Sequence, residues 1–130
     1  VAETGLQLYK FGRTTTLAFL EKSFKPSSPY EVILENRKAG LHTLVLLDVK
    51  EENRYMTVKD GIEVLTELGD NLDPESKIVA CCQLGSENQR IKYGPMKELA
   101  KDASLSNTPA VIIIPGRLHF KEEEALRMYE

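Results

Sequence analysis

The chain has 130 residues, 42% of them hydrophobic and 28% charged, which suits one globular domain with a real core and excludes an intrinsically disordered chain. With 17 Lys and Arg against 20 Asp and Glu the net charge is −3, so no overall basic footprint points to nucleic acid. The longest apolar runs, residues 44–47 and 111–114, are far too short to cross a bilayer, and no basic and apolar leader precedes them, so secretion is unsupported and no membrane partner is expected.

The opening stretch sets Gly12 between Lys10 and Arg13 and follows them with Thr14, Thr15 and Thr16. Backbone amides and two cations in that order can hold an anion. Tyr9, Phe11, Leu17 and Phe19 give the segment an apolar side, however, and threonines favour strand, so an extended strand with a basic edge is preferred. Residues 25–29 are a loop, and Ser28-Pro29-Tyr30-Glu31 starts a helix: serine caps the free amides, proline fits the first turn and glutamate completes a capping box. That helix should run to about Lys38 and stop at Gly40. Residues 41–49 are almost continuously apolar, as expected of a strand covered on both faces. Thr57-Val58-Lys59-Asp60 opens a second helix with Ile62, Leu65, Val64 and Leu68 on its buried side and Gly69 at its end. A polar loop at 70–76 leads to a buried strand at 77–84 and a turn at 85–88. A helix near 95–103, a strand at 110–114 and a helix near 121–129 complete the series. Strands alternating with helices predict the α/β class, with a mostly parallel or mixed sheet flanked by helices.

There is no phosphate-binding or dinucleotide glycine motif, no cysteine–histidine metal spacing and no nucleophile elbow, so no metal site is expected. His42 and His119 stand alone, and each reads as a structural or surface histidine. Cys81 and Cys82 are adjacent; neighbours on a strand point to opposite faces, so they read as two buried thiols and not as a disulfide. Glu122-Glu123-Glu124 reads as a solvated helix face near a helix start. In open α/β sheets, ligands lie beyond the carboxyl ends of strands. Those ends offer Leu47-Asp48, residues 82–86 and Pro115-Gly116-Arg117. Apolar walls and backbone groups without an acid–base pair describe a binding surface, not a complete catalytic site.

Four ordered segments carry a family resemblance: GLQLYKFG at 5–12, GLHTLVLLD at 40–48, RYMT at 54–57 and PGRLH at 115–119. Together, and across nearly the whole chain, they resemble the diphthine synthase family, most nearly its archaeal form, among the tetrapyrrole methylase-like methyltransferases. The resemblance implies the second domain of a two-domain enzyme that binds S-adenosylmethionine in the cleft between its domains. Residues 1–8 would then end an interdomain helix or linker, and residues 9–130 would form the carboxyl-terminal α/β domain. The amino-terminal cofactor domain would lie outside this chain, which agrees with the missing initiator methionine. The implied reaction is methylation of the amino group of a modified histidine on translation elongation factor 2, in diphthamide synthesis. A cytoplasmic homodimer is implied too, and this chain alone would be inactive.

By the same resemblance the cofactor contacts in this half are Leu47, Leu84 and Ala110. Many relatives carry histidine where this chain has Ala110, and Cys82-Gln83 replaces a more usual alanine–arginine pair. Tyr9 or Phe11 would present a ring face to a trimethylammonium product, packing being their plainer role. Lys10, Arg13, Lys22 and Lys25 would form a basic patch toward an acidic partner surface, simple solvation being theirs. Two readings of other classes stand beside this one: a non-catalytic α/β assembly or ligand-sensing module, and a tetrapyrrole methylase-like enzyme acting on a small molecule.

Overall fold

The structure, a computed structural model, describes residues 5–6, 10–16, 28–47, 50–51, 54–68, 75–83, 86–105, 108 and 110–130. A short strand β1 (Thr15–Thr16) precedes helix α1 (Ser28–Lys38) and strand β2 (Thr43–Leu46). A small hairpin of β3 (Lys50–Glu51) and β4 (Arg54–Tyr55) leads into helix α2 (Val58–Leu68). Strands β5 (Lys77–Cys82) and β6 (Arg90–Pro95) follow, then a one-turn helix α3 (Met96–Leu99), a 3-10 turn at Ala103–Leu105, strand β7 (Ala110–Ile114) and helix α4 (Phe120–Arg127). Among the described residues no helix is long and apolar enough to cross a membrane.

The helix ends follow local chemistry. At the end of α1 the Leu41 N–H donates to the Asn36 carbonyl at 2.8 Å and the Gly40 N–H to the Arg37 carbonyl at 3.0 Å. Gly40 has φ +74°, the left-handed stop that this pair of bonds requires. At the start of α2, Thr57 Oγ1 accepts from the Asp60 N–H at 3.2 Å while Asp60 Oδ2 accepts from the Thr57 N–H at 3.1 Å. This reciprocal box satisfies two otherwise orphaned donors.

The main sheet has the order β1-β2-β7-β5-β6, with β1 parallel to β2 and every other neighbour antiparallel. The sheet is mixed, as expected, but it is dominated by antiparallel pairs and not by parallel ones. β7 lies between β2 and β5 and runs antiparallel to both. Leu46 pairs with Val111 and Cys82 with Ala110, so the carboxyl ends of β2 and β5 meet the amino end of β7. Thr43 pairs with Ile114 at the far end. The expectation that three strand ends share one edge is thereby corrected: Pro115-Gly116-Arg117 lies opposite Leu47 and Cys82.

Both faces of the sheet are packed. On one, Val45, Leu47, Ile78, Ala80, Cys82, Ile112 and Ile114 bury against Ile33 of α1, Val58, Ile62 and Leu65 of α2, and Met96 and Leu99 of α3. On the other, Val79, Cys81 and Ile113 pack with Leu6 and with Leu126 of α4. Cys81 and Cys82 thus face opposite layers as buried, unbridged thiols. The 41–49 strand is shorter than expected, and β2 alternates between buried and half-buried positions. The helix expected at 95–103 is a single turn followed by the 3-10 turn.

Strand β6 and the β3–β4 hairpin were not expected from the sequence. The charges of Arg90 and Lys92 and the breakers Gly94 and Pro95 mask β6, yet these residues suit its place at the sheet edge. The alternation of Ile91 and Tyr93, both packed on the second cluster, was the available signal.

Candidate functional site

Leu47, 0% exposed, follows β2, and Ala110, 3% exposed, opens β7 at the same end of the sheet. Leu84, the third implied cofactor contact, lies outside the described residues, as does Asp48. The side chains of Leu47 and Ala110 are spent in the core, so at this edge they can offer a ligand only backbone. Helix α2 comes so close here that a Cβ added to Gly61 would lie 2.9 Å from Leu47 Cδ2 and 3.1 Å from Ile112 Cδ1.

Gln83 leaves β5 at this edge with φ +49°, the one non-glycine positive φ among the described residues. Its Nε2 donates to the Thr108 carbonyl at 3.0 Å. A cavity of about 570 Å³ opens between the start of α2 and the α3–3-10 segment, with Thr57, Lys59, Lys97, Lys101, Asp102 and Leu105 in its lining. That size suits a small organic ligand. The Leu105 carbonyl accepts from Cys82 Sγ at 3.5 Å, which joins the cavity wall to the last residue of β5.

The chemistry of this end is that of holding, not of proton transfer. Burial pushes the Cys81 thiol up to about 12 and the Cys82 thiol up to about 11, so both stay protonated and unreactive near neutral pH. Asp102 is held below its ordinary value, chiefly by the Ser104 hydroxyl, which donates to Oδ1 at 2.6 Å. The Lys97 pair with Glu75 belongs to the far end of the cavity, beside the start of β5. Among the described residues no group of three potential metal ligands gathers.

The opposite end holds a buried polar clasp. His42 Nδ1 accepts from the Gly116 N–H at 2.9 Å, which leaves Nε2 to donate to Glu122 Oε2 at 2.8 Å. Glu122 Oε1 takes Lys10 Nζ at 3.0 Å and the His119 N–H at 3.0 Å. Lys10 Nζ also donates to the Arg117 carbonyl at 2.5 Å. His42 and Glu122 are both fully buried. Glu122 is therefore not part of a solvated face, unlike the exposed Glu123 and Glu124: as the third residue of α4 it turns back to the His119 N–H and inward to His42. His119 is an exposed helix cap whose Nδ1 accepts from the Lys121 N–H at 3.2 Å, in keeping with a structural reading.

The clasp also reorders the basic patch. Lys10 is turned inward, and exposed Arg13 pairs with exposed Glu35 at 3.3 Å. Lys22, Lys25 and Tyr9 lie outside the described residues. Phe11 packs edge-on against His42, with ring centroids 5.3 Å apart, which is a packing role. The entering segment is pinned further by Asn36, whose Nδ2 donates to the Arg13 carbonyl at 2.8 Å and to Thr43 Oγ1 at 2.9 Å. Sequence reasoning missed Asn36, took Glu122 for a solvated residue and gave Gln83 no contact of its own. The spacing of His119 and Glu122 as a capping box was the one signal that could have corrected the reading of Glu122.

No protein-family model matches the chain. The diphthine synthase of Methanocaldococcus jannaschii is 43% identical over 135 residues, covering 98% of this chain and 52% of that protein. The diphthine synthase of Methanococcus maripaludis strain S2 is 39% identical, covering 95% of this chain and 51% of that one. Among solved structures, an Entamoeba histolytica protein provisionally assigned as a diphthine synthase superposes with a TM-score of 0.91 at 32% identity, covering 98% of this chain and 54% of its own. A crystal structure of diphthine synthase gives a TM-score of 0.86 at 27% identity, with 98% and 48% covered. The chain spans about half the length of the curated relatives it matches. By sequence and by fold, these 130 residues are a relative of the diphthine synthases that corresponds to about half of one.

Proposed function

We propose that residues 9–130 are the carboxyl-terminal domain of an S-adenosylmethionine-dependent methyltransferase acting on elongation factor 2 in diphthamide synthesis, with residues 1–8 as the end of an interdomain segment. The observation that carries this reading is the likeness to diphthine synthases over 98% of the chain, in sequence and in fold alike. The cytoplasmic location and the homodimer belong to the same proposal.

The residues at the Leu47–Ala110 edge fit such a cofactor in kind. They offer a backbone edge over buried apolar side chains, and the cavity lined by Thr57 and Lys101 reaches the last residue of β5 through Leu105. When bound, the cofactor supplies a methyl group already activated by its sulfonium. This chain is then required only to hold, align and exclude water, which matches the lack of an acid–base pair at this edge among the described residues. An apolar floor also favours the neutral form of an attacking amine.

Calorimetric titration tests the reading. The complete two-domain protein should bind S-adenosylmethionine with micromolar affinity, and this chain alone should bind it far more weakly. A folded complete protein that takes up no cofactor would refute the assignment.

A further inference from the structure

We propose that Gln83 is a positioning residue for the methyl donor, clamping the exit of β5 to the entrance of β7; this rests on the reading that the donor lies against the Leu47–Ala110 edge. Gln83 adopts φ +49°. That conformation is disfavoured for an L side chain other than Asn or Asp, so surrounding structure must hold it. The holding contact is the bond from Nε2 to the Thr108 carbonyl at 3.0 Å, made across 25 positions of sequence.

The location of that bond gives it consequence. Cys82, just before Gln83, pairs with Ala110, two residues after Thr108. One side chain therefore holds the end of β5 against Thr108, two residues before Ala110. The Gln83 carbonyl accepts from the Ser86 N–H at 3.1 Å, so the same residue starts the turn toward β6. No proton or electron pair passes through Gln83. What it fixes is backbone, and a ligand held by backbone responds to small displacements of the edge that holds it.

Gln83→Leu keeps the bulk and removes the donor, whereas Gln83→Arg supplies a donor long enough to reach the Thr108 carbonyl. In the complete protein the Leu variant should bind S-adenosylmethionine about fivefold more weakly, the scale of one neutral hydrogen bond, raise its KM by a like factor and leave kcat within about twofold. Without ligand, amide exchange at Thr108 and Ala110 should quicken in the Leu variant. The Arg variant should restore both affinity and exchange.

A folded Leu variant with parental affinity and exchange would overturn the proposal. So would equal losses of affinity, kcat and thermal stability that Arg does not rescue, since that is the pattern of a merely structural residue. A parent protein that folds but binds no cofactor would remove the underlying reading before any substitution is made, and the proposal with it.

Discussion

Glu122 Oε2 lies 2.8 Å from His42 Nε2, with both side chains fully buried. The bond joins the last helix to the start of β2, and Lys10 ties the entering chain to the same carboxylate. Three of the four segments that carry the family resemblance meet here: Lys10 from GLQLYKFG, His42 from GLHTLVLLD, and Gly116, Arg117 and His119 from PGRLH. The residues that make the family recognisable therefore build largely a structural clasp, at the end of the sheet opposite Leu47 and Ala110.

Removing one partner of a buried charged network leaves the others uncompensated. Glu122→Ala should lower the unfolding free energy by about 3–5 kcal/mol in urea titration. Glu123→Ala, on the exposed side of the same helix, should change it by less than about 0.5 kcal/mol. Equal effects from the two substitutions would mean that the clasp contributes no more than surface charge.

The thiols give a pH signature. Their ordinary pKa is 9.0, and burial pushes Cys81 up to about 12 and Cys82 up to about 11. Folded values above the unfolded one mean that this contribution to stability is fully present below pH 9.0 and is lost as pH rises through about 11 to 12. At pH 8 native protein should resist iodoacetamide and be labelled only as fast as it unfolds. Rapid labelling of the native state would contradict the buried placement of both cysteines.

Asp102 behaves in the opposite sense. The Ser104 hydroxyl holds its carboxyl below the ordinary value, so the stabilisation is present above that value and is lost as pH falls through the folded one. Ser104→Ala should move the Asp102 titration upward in an NMR pH series. An unmoved titration would show that the hydroxyl bond at the cavity wall is not formed in solution.

Much of the fold was legible because its signals are local. The Gly40 stop, the Thr57–Asp60 box and the apolar runs of β2, β5 and β7 each rest on a few neighbouring residues. The strand order was not legible: nothing between residues 84 and 110 announces that β7 will insert between β2 and β5 and run against both, and that direction decides which strand ends share an edge. Glu122 and Lys10 were misread for a related reason. A charged residue in an acidic or basic run looks solvated until a partner 80 or 112 positions away is brought beside it. Gln83 stood out only as part of the 82–86 strand end and as a departure from the family pattern, because a positive φ on glutamine has no sequence signature. Leu47 and Ala110 came from resemblance, and the antiparallel register brings them to one end of the sheet.

The most direct measurement of the central claim is transfer of labelled methyl groups from S-adenosylmethionine to the elongation-factor intermediate, located by mass spectrometry. The complete two-domain protein should place label on the amino group of the modified histidine, and this chain alone should place none. A folded complete protein that leaves the intermediate unlabelled would contradict the account.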